Sequence, residues 1–543
     1  MKVSTDRRLR LAGGIAASMG LAGFLAGGFL VLVLATGAGL PLGESLSDRY
    51  IRGVVLFTLE QAALSTLLSV LSAVPLAIAL HRARFPGRRA ILRLFLLPQA
   101  LPVLVGALAI VAVWGRNGVV SDALAMAGLA RLDVYGLSGI LLAHVFFNLP
   151  LAARLMVAAL DEVPAESWKL AGQLAFSPTT TFRLIEWPAI RQVLPAAASL
   201  VFMLCATSFT IVLVLGGGPS ATTLEVAIYQ SLRYDFDPGR AVALSLLQIV
   251  LTALLVMAAN RLGGDAVASF GLGGRTKRYD RTGALLKLAD GAVLALGLLF
   301  IASPFVAVVI AGLKADLTRL LTEEAVIDAA LTSLWVALSA GLVALLLSLP
   351  ILAAIEALAS SERRSGSRLA RQSRRALEVT ASLVLVVPPV VVGAGWFLGL
   401  RQVTSVFAAA PYVVVLTNAA MAVPFVVRIL GPALATGHRR SEKLADSLGL
   451  AGLSRFQIVD WPAIRRPMGL AYALAVAISL GDLGAVALFG NREFTTLPYL
   501  LLQRMGSYRT EDAAGLALLL GLLCLTLITS SESATKLRHG SGR

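Results

Sequence analysis

Long runs of apolar residues, separated by short polar stretches, recur along the whole chain. An α-helix needs roughly 20 apolar residues to cross the hydrocarbon core of a bilayer. Membrane β-barrels instead show alternating strands of about ten residues, which these continuous runs do not resemble. The pattern predicts an all-α polytopic membrane protein with about 12 transmembrane helices. The candidate spans are stretches free of Asp, Glu, Lys and Arg: 11–43, 61–80, 94–115, 134–153, 192–224, 241–260, 291–313, 329–355, 379–400, 402–427, 467–481 (extended past Asp482 to 491) and 513–531.

Composition excludes the soluble alternatives. Of the 543 residues, 57% are hydrophobic and 14% are charged, whereas soluble domains carry about 25% charged residues. A water-soluble enzyme and a disordered chain are therefore excluded. The net charge of +16 comes from short basic clusters between the apolar runs, so we expect contact with membrane lipid and no binding of nucleic acid. Cys205 and Cys524 lie in apolar runs and the four histidines lie far apart, so we predict no disulfide framework and no metal site.

The basic clusters also predict the orientation of the chain. Lys and Arg are denser in alternate loops and at the two termini, most visibly in the run from Arg363 to Arg375. By the positive-inside rule, both termini then lie in the cytoplasm. The first apolar run is too long for the apolar region of a signal peptide and has no clear cleavage site, so we interpret it as a retained span. The chain is therefore predicted to be an integral membrane protein with both ends in the cytoplasm.

The sequence repeats itself. Glu186-Trp-Pro-Ala-Ile-Arg191 recurs 274 positions later as Asp460-Trp-Pro-Ala-Ile-Arg465, and Thr222-Thr-Leu224 recurs as Thr495-Thr-Leu497. Six spans in each copy is an even number, so both copies enter the membrane in the same direction. Parallel repeats of this kind are a transporter architecture with the substrate pathway at the repeat interface.

The repeat suggests a division into domains. We predict an N-terminal helix and first periplasmic loop over 1–50, a first transmembrane domain over 51–260, and a cytoplasmic linker over 261–285. The first helix of the second half covers 286–327, a second transmembrane domain 328–531, and a cytoplasmic tail 532–543.

Two predicted cytoplasmic loops, about 161–193 and 433–467, have the same layout. Each begins with a segment of helical composition, continues through an amphipathic stretch and ends in Trp-Pro-Ala-Ile-Arg before the next span. A proline at this position can begin a new helix. A long cytosolic loop with its own apolar residues, present in both halves, indicates a docking element, although an amphipathic connector lying on lipid headgroups would have a similar composition.

The layout resembles the EAA loop of binding-protein-dependent ABC importer permeases. Gly449 fits the glycine of that motif, while Ala175 stands where glycine is usual, and Lys169 and Lys443 occupy the usual glutamate position. The resemblance implies that these loops couple to an ATPase. The implied coupling residues are Glu166, Ala171, Leu174, Ala175, Trp187 and Pro188 in the first loop, and Glu442, Ala445, Leu448, Gly449, Trp461 and Pro462 in the second.

Longer stretches resemble a narrower family, the fused thiamine and thiamine pyrophosphate ABC transporter permeases. They include Gly139–Pro150, Leu215–Leu224, Ala227–Gln230, Gly481–Gly490 and Gly506–Arg509, and the resemblance covers about 50–530. It implies a type I ABC importer permease of the bacterial cytoplasmic (inner) membrane. Such a permease works with two copies of an ATPase subunit and a periplasmic thiamine-binding protein. The resemblance also implies that this chain binds no cofactor itself and is no enzyme, since ATP and Mg²⁺ belong to the partner. The chain indeed lacks the G-x-x-x-x-G-K-[ST] phosphate loop.

Three polar residues in or near the spans are candidates for the translocation path, because polar groups inside a membrane are costly and so are commonly functional. Asp482 would either attract a cationic substrate or cap a bend beside Gly481 and Gly484. Glu60 would either contact substrate or pair with an arginine. Asn148 and His144 share one helix face, where an interhelical hydrogen bond is the alternative to ligand binding.

Three other functions remain open on the sequence alone. A fused ABC permease for ferric iron or another small solute would have the same two-half layout. An ion-coupled secondary transporter would need several acidic residues at mid-membrane, where only Asp482 clearly qualifies. A membrane-embedded enzyme would need a nucleophile or metal constellation, and the sequence shows none.

Overall fold

The computed structural model describes residues 2–34, 47–83, 87–262, 278, 283–385, 387–403 and 405–536, and every regular element among them is helical. Most of the predicted linker and the end of the predicted tail therefore lie outside the described residues. The helices of the first half, in chain order, are α1 (Lys2–Leu34), α2 (Arg49–Arg82), α3 (Arg88–Leu94), α4 (Leu97–Ala100), α5 (Val103–Trp114), α6 (Val119–Met126), α7 (Leu137–Asp161), α8 (Ala165–Gln173), α9 (Pro178–Thr181), α10 (Trp187–Ala206), α11 (Thr210–Leu215), α12 (Leu224–Arg233) and α13 (Pro238–Leu262).

The second half repeats this succession of long and short helices. Its members are α14 (Ala284–Lys314), α15 (Leu317–Thr322), α16 (Glu324–Ser365), α17 (Arg368–Ser382), α18 (Pro389–Val403), α19 (Val406–Ser447), α20 (Gly452–Arg455), α21 (Trp461–Gly481), α22 (Gly484–Phe489), α23 (Leu497–Gly506) and α24 (Thr510–Lys536). One turn of π-helix precedes α10 (Phe182–Glu186) and another precedes α21 (Phe456–Asp460).

Eleven helices in the described part of the chain are long and apolar enough to cross a membrane. The all-helical prediction is confirmed, and the number of spans is close to the predicted twelve. The difference arises at the predicted span 379–400, where the chain forms the end of α17, a 3₁₀ turn at Leu383–Leu385 and the 15-residue helix α18. Pro388 and Pro389 interrupt the run because proline lacks the backbone N–H that a helix interior requires.

The helices pack into two compact units, each built from both halves of the sequence. One unit contains 43–227 and 247–315, and the other contains 1–42, 228–246 and 316–543. The first helix of each half therefore belongs with the later helices of the other half: α14 packs on α2 and α5, and α1 packs on α16 and α18. The predicted domain boundaries describe the repeat in the sequence, and as such they stay a prediction. The packing of the helices divides the chain differently.

Small residues allow the close helix packing in the unit of 43–227 and 247–315. α2 packs along α7 and α10, and fully buried alanines, including Ala73, Ala77, Ala152 and Ala153, lie in their common core. Lipid tails are as apolar as the core, so packing inside a membrane depends on van der Waals contact between backbones that approach closely. Ile301 of α14 is buried in the same core.

Glycines serve the same purpose in the other unit. A Cβ added to Gly395 of α18 would lie 1.8 Å from the carbonyl oxygen of Gly28 in α1, so only glycine fits this crossing. Beside it, the indole of Trp396 stacks on Phe24, with the ring centroids 5.4 Å apart. The indole Nε1–H donates a 3.1 Å hydrogen bond to the Phe24 carbonyl oxygen.

Candidate functional site

Each unit contains one of the two predicted coupling loops, and in each loop a helix ends in the same way. In the first loop, Ala175 follows the last turn of α8 and has φ 49°. There the amide N–H of Phe176 donates to the Ala171 carbonyl at 2.9 Å. In the second loop Gly449 has φ 62°, and the amide N–H of Leu450 donates to the Ala445 carbonyl at 2.9 Å. These are Schellman caps, which require a left-handed residue. They explain why the family motif has glycine at this place.

The residues at the caps divide into a buried and an exposed set. Ala171 and Ala445 are buried against the rest of their units. Leu174 and Leu448 point away from the protein, with 59% and 64% of their surface exposed. Exposed leucines directly beside a rigid cap provide an apolar contact surface of defined shape, which is what a docking element requires.

The Trp-Pro motif begins a long helix in both units. Trp187 and Trp461 each follow the π-helical turn, are exposed, and stack obliquely on the phenylalanine that begins that turn: Phe182 at 6.0 Å and Phe456 at 6.2 Å. Pro188 and Pro462 occupy the first turns of α10 and α21, where the missing N–H costs nothing. π-Helical turns are rare and frequently lie at functional sites.

A buried acidic residue immediately precedes each tryptophan. Glu186 is fully buried and binds two arginines. Arg82 donates from Nε at 3.0 Å and from Nη2 at 2.6 Å, and Arg278 donates from Nη1 at 2.8 Å. We call Glu186, Arg82 and Arg278 the first acid cluster. Its geometry satisfies both carboxylate oxygens, as a buried charge requires.

Arg278 also binds the loop helix. Its guanidinium lies 4.1 Å from the centroid of the ring of Trp168 in α8, an indole that is fully buried. This cation–π contact and the pairing with Glu186 attach one residue of the predicted linker both to the loop helix and to the start of α10. The ring of His81 also contacts Trp168, with the centroids 5.3 Å apart, and its Nδ1 lies 3.0 Å from Arg278 Nη1.

The other unit has a matching arrangement around Asp460. His438 Nε2 lies 2.5 Å from Asp460 Oδ1, and Arg10 Nη2 lies 3.2 Å from Oδ2. We call Asp460, His438 and Arg10 the second acid cluster. Asp6, paired with Arg10, accepts the amide N–H of Gly452 at 2.8 Å. The start of α1 thereby fixes the start of the short helix α20.

Two of the implied coupling residues, Glu442 and Glu166, belong to neither acid cluster. Glu442 of the second loop forms ion pairs with Arg364 at 2.9 Å and with Arg363 at 3.4 Å. Glu166 of the first loop is exposed at the beginning of α8. A carboxylate in the first turn of a helix is favourable because the helix dipole is positive there.

Both α10 and α21 end inside the membrane-spanning run, and buried polar side chains satisfy the broken ends. Gln61 of α2 donates to the Cys205 carbonyl at 2.9 Å, just before α10 ends. Asn418 donates to the Ser479 carbonyl at 3.5 Å and to the Ser479 hydroxyl at 2.9 Å, just before α21 ends. An unpaired backbone group in hydrocarbon costs several kcal/mol, so each break needs such partners.

The predicted path residues lie around these breaks. Asn148 is buried and donates to Cys205 Sγ at 3.4 Å, and His144 Nδ1 lies 2.9 Å from the Ser65 hydroxyl. Both side chains thus make interhelical contacts, and a role of Asn148 in the translocation path stays a prediction. Asp482 lies between α21 and α22 and accepts the Gly484 amide N–H at 3.1 Å, so it caps the bend. Glu60 is exposed, and no arginine of the described residues lies within ion-pair distance of it.

The first and second acid clusters are the main features that sequence reasoning missed as sites. The acidic residue before Trp-Pro is visible in both copies, but its partners come from distant segments that no motif marks. The described residues contain no group of His, Cys, Asp and Glu side chains placed to hold a metal ion.

Both units thus contain a loop with a left-handed cap, followed by a helix that ends inside a membrane-spanning run. Residues 65–263 match the family model of the binding-protein-dependent transport system inner membrane component. This match, together with 51% identity to a curated transport permease over 97% of the chain, places the protein in the class of transport permeases, which are not enzymes. It is a multi-pass protein of the inner membrane.

Curated relatives place the chain more narrowly. It is 51% identical to the thiamine transport system permease protein ThiP of Brucella abortus (strain 2308), over 97% of this chain and 96% of that protein. It is 42% identical to ThiP of Escherichia coli (strain K12), over 89% of each chain. With ThiP of Haemophilus influenzae the identity is 37%, over 92% of this chain and 91% of the relative. The chain belongs to the family of thiamine transport system permease proteins.

Proposed function

We propose that this chain is the membrane-spanning subunit of an ATP-driven importer that carries thiamine and its phosphates, including thiamine pyrophosphate, into the cell. The observation that supports this most directly is the 51% identity to a thiamine transport permease over 97% of the chain. The comparisons do not favour the alternative cargo, ferric iron or another small solute.

The proposal assigns ATP hydrolysis to a partner. Two copies of an ABC ATPase subunit dock on the two coupling loops, one on the surface that contains Leu174 and the other on the surface that contains Leu448. ATP and Mg²⁺ bind to that partner, and this chain binds no cofactor. A periplasmic thiamine-binding protein delivers the substrate on the opposite side of the membrane. Both termini are cytoplasmic, in agreement with the distribution of Lys and Arg.

The acid clusters give these loops a way to transmit force. Movement of α8 must also move Arg278, because the Arg278 guanidinium stacks on Trp168 and binds Glu186 at the start of α10. In the other unit, Arg10 and Asp6 connect α1 to Asp460 and Gly452. ATP-driven movement of the loop helices thereby reaches the broken helices, and the permease changes between inward-open and outward-open states, a coupling between two distant sites.

The experiment replaces both exposed loop leucines by lysine, Leu174→Lys with Leu448→Lys, in the complete importer. We expect loss of ATP-dependent uptake of radiolabelled thiamine and loss of co-purification of the ATPase. Folding should persist because neither side chain is buried. Met126→Lys, on an exposed residue outside both loops, is the matched control and should transport normally. Full uptake by the double variant, or uptake by the chain alone without an ATPase, would refute the coupling function.

A further inference from the structure

A cavity of about 440 Å³ lies in the unit of 1–42, 228–246 and 316–543, where α18 and α12 end. Its lining includes Arg233, Phe236, Phe397 and Arg401. The volume lies within the range of sites for small organic molecules, roughly 300–1,000 Å³. None of these residues belongs to the coupling loops or to the helix breaks.

The cavity lies at the opposite end of the membrane-spanning region from the coupling loop of its own unit. Val406 lines it and is the first residue of α19, whose 42 residues end at Ser447 beside the Schellman cap. At 1.5 Å per residue this helix is about 63 Å long, more than the thickness of a bilayer. The cavity is therefore on the side of the membrane from which, under the proposed function, substrate arrives.

Two guanidinium groups in the cavity wall have no carboxylate partner in the part of the chain that the structure describes. Arg401 is exposed, and Arg233 makes two long contacts, 3.4 Å to the Gly490 carbonyl and 3.3 Å to the Tyr499 hydroxyl. Among the described residues, no acidic side chain lies within ion-pair distance of either arginine. The nearest carboxylates along the chain, Asp235 and Asp237, are paired with Arg240. The cavity therefore presents uncompensated positive charge.

Aromatic side chains accompany this charge. The Phe236 side chain is 75% exposed, and its backbone has φ 51°, a left-handed conformation that is unusual for a bulky residue. Phe397 lines the same cavity and packs edge-on against Phe489, with ring centroids 5.7 Å apart. A planar heterocycle packs well against phenylalanine rings, and a cationic ring gains an additional attraction.

We propose that this cavity binds the phosphorylated forms of the substrate, with the phosphate groups on Arg233 and Arg401 and the heterocycle against Phe236 and Phe397. Guanidinium groups bind phosphate through paired, charge-assisted hydrogen bonds. Unphosphorylated thiamine is a cation and gains nothing from two arginines. The cavity thus determines which form of the cargo is accepted, an inference that rests on the proposed function and makes it more specific.

The test compares two substrates in the same reconstituted importer, complete with ATPase and binding protein. Arg233→Gln and Arg401→Gln should each lower kcat/KM for radiolabelled thiamine pyrophosphate about tenfold, the effect of losing one charge-assisted hydrogen bond. Uptake of radiolabelled thiamine should stay within twofold of wild type. For Arg401→Lys, kcat/KM for thiamine pyrophosphate should lie between the values of wild type and Arg401→Gln. Lysine keeps the positive charge but lacks the planar guanidinium group that binds phosphate through two hydrogen bonds. Arg116→Gln, an exposed arginine that does not line the cavity, is the matched control.

The outcomes separate this inference from the function on which it rests. An equal fall in uptake of both substrates would assign the arginines to folding or to docking of the binding protein, and would overturn the inference. Unchanged uptake of thiamine pyrophosphate in a variant that combines Arg233→Gln with Arg401→Gln would overturn it as well, and so would a wild-type importer that carries thiamine alone. A wild-type importer that carries neither compound would instead refute the proposed function.

Discussion

Ala175 and Gly449 occupy equivalent positions in the two loops. Ala175 adopts the same backbone conformation as Gly449, but at an energetic cost. Both have a left-handed backbone, which glycine adopts freely and alanine adopts at a cost of about 1–2 kcal/mol. The Phe176 amide bond to Ala171 holds Ala175 in place. The departure from the family motif at this position thus changes the stability of the loop and leaves its geometry unchanged.

Ala175→Gly should therefore stabilise the first loop by about 1 kcal/mol, because the strain at Cβ disappears. Ala175→Val should destabilise it by at least as much, since branching at Cβ increases the clash. Hydrogen exchange at the Phe176 amide measures both changes: slower exchange in the glycine variant and faster exchange in the valine variant. Leu174→Ala, which leaves the cap intact, serves as the control. Identical exchange rates in all variants would contradict the cap.

At the residue scale, the sequence predicts local motifs but not the distant residues that pair with them. The position of the caps follows from a short motif, as does the start of α10 and α21 at Trp-Pro. The first acid cluster does not, because Glu186 binds Arg278, 92 positions away in sequence, and nothing local marks either residue as a partner. Likewise, the Cys205 carbonyl needs the hydrogen bond from Gln61 because α10 ends at Ala206.

At the scale of the helix, the crossing of α1 and α18 depends on two glycines. The carbonyl of Gly28 lies where a Cβ of residue 395 would be, 1.8 Å away. No rotamer change relieves this contact, since both atoms belong to the backbone or are fixed to it. The two helices would have to separate, and the Trp396 bond to the Phe24 carbonyl would be lost with them.

Gly395→Val should accordingly lower the stability of the protein by at least about 1–3 kcal/mol, the usual cost of overpacking a core. The melting temperature of the purified protein in detergent measures the change. Gly23→Val is the matched control, because that glycine lies in α1 and a Cβ added to it would have no atom within 4 Å. Equal melting temperatures for the two variants would show that the crossing tolerates a side chain.

Helix ends are harder to predict than helices. Apolar runs predict the long spans well because burial in lipid requires a continuous helix. A break inside such a run has little local signal: the pattern predicts one span over 192–224, yet α10 ends at Ala206 and α11 begins at Thr210. Internal breaks are tolerated where neighbouring side chains satisfy the backbone, so they depend on tertiary contacts that a linear pattern does not contain.

At the scale of the whole molecule, the repeat in the sequence and the units in space do not coincide. Each unit takes its first helix from the other half of the chain. In both units an arginine near that helix binds the buried acidic residue that precedes Trp-Pro. Arg278, which precedes α14, binds Glu186, and Arg10, which lies in α1, binds Asp460. Two different segments thus make equivalent contacts with the buried acid, which ties each predicted coupling loop to the half of the chain that does not contain it.

This arrangement predicts that Arg278→Gln uncouples the importer more than it unfolds it. Arg82 still neutralises Glu186, so the loss in stability should be smaller than the roughly 3–5 kcal/mol for breaking a buried pair completely. Trp168 of the loop helix, however, loses its cation–π contact with residue 278. In the reconstituted importer we expect ATPase activity near wild type and at least a fivefold fall in thiamine transported per ATP hydrolysed. Arg183→Gln, an exposed arginine of the same loop, should keep the wild-type ratio. Arg278→Lys should restore part of it, and an unchanged ratio in Arg278→Gln would show that the contact is structural only.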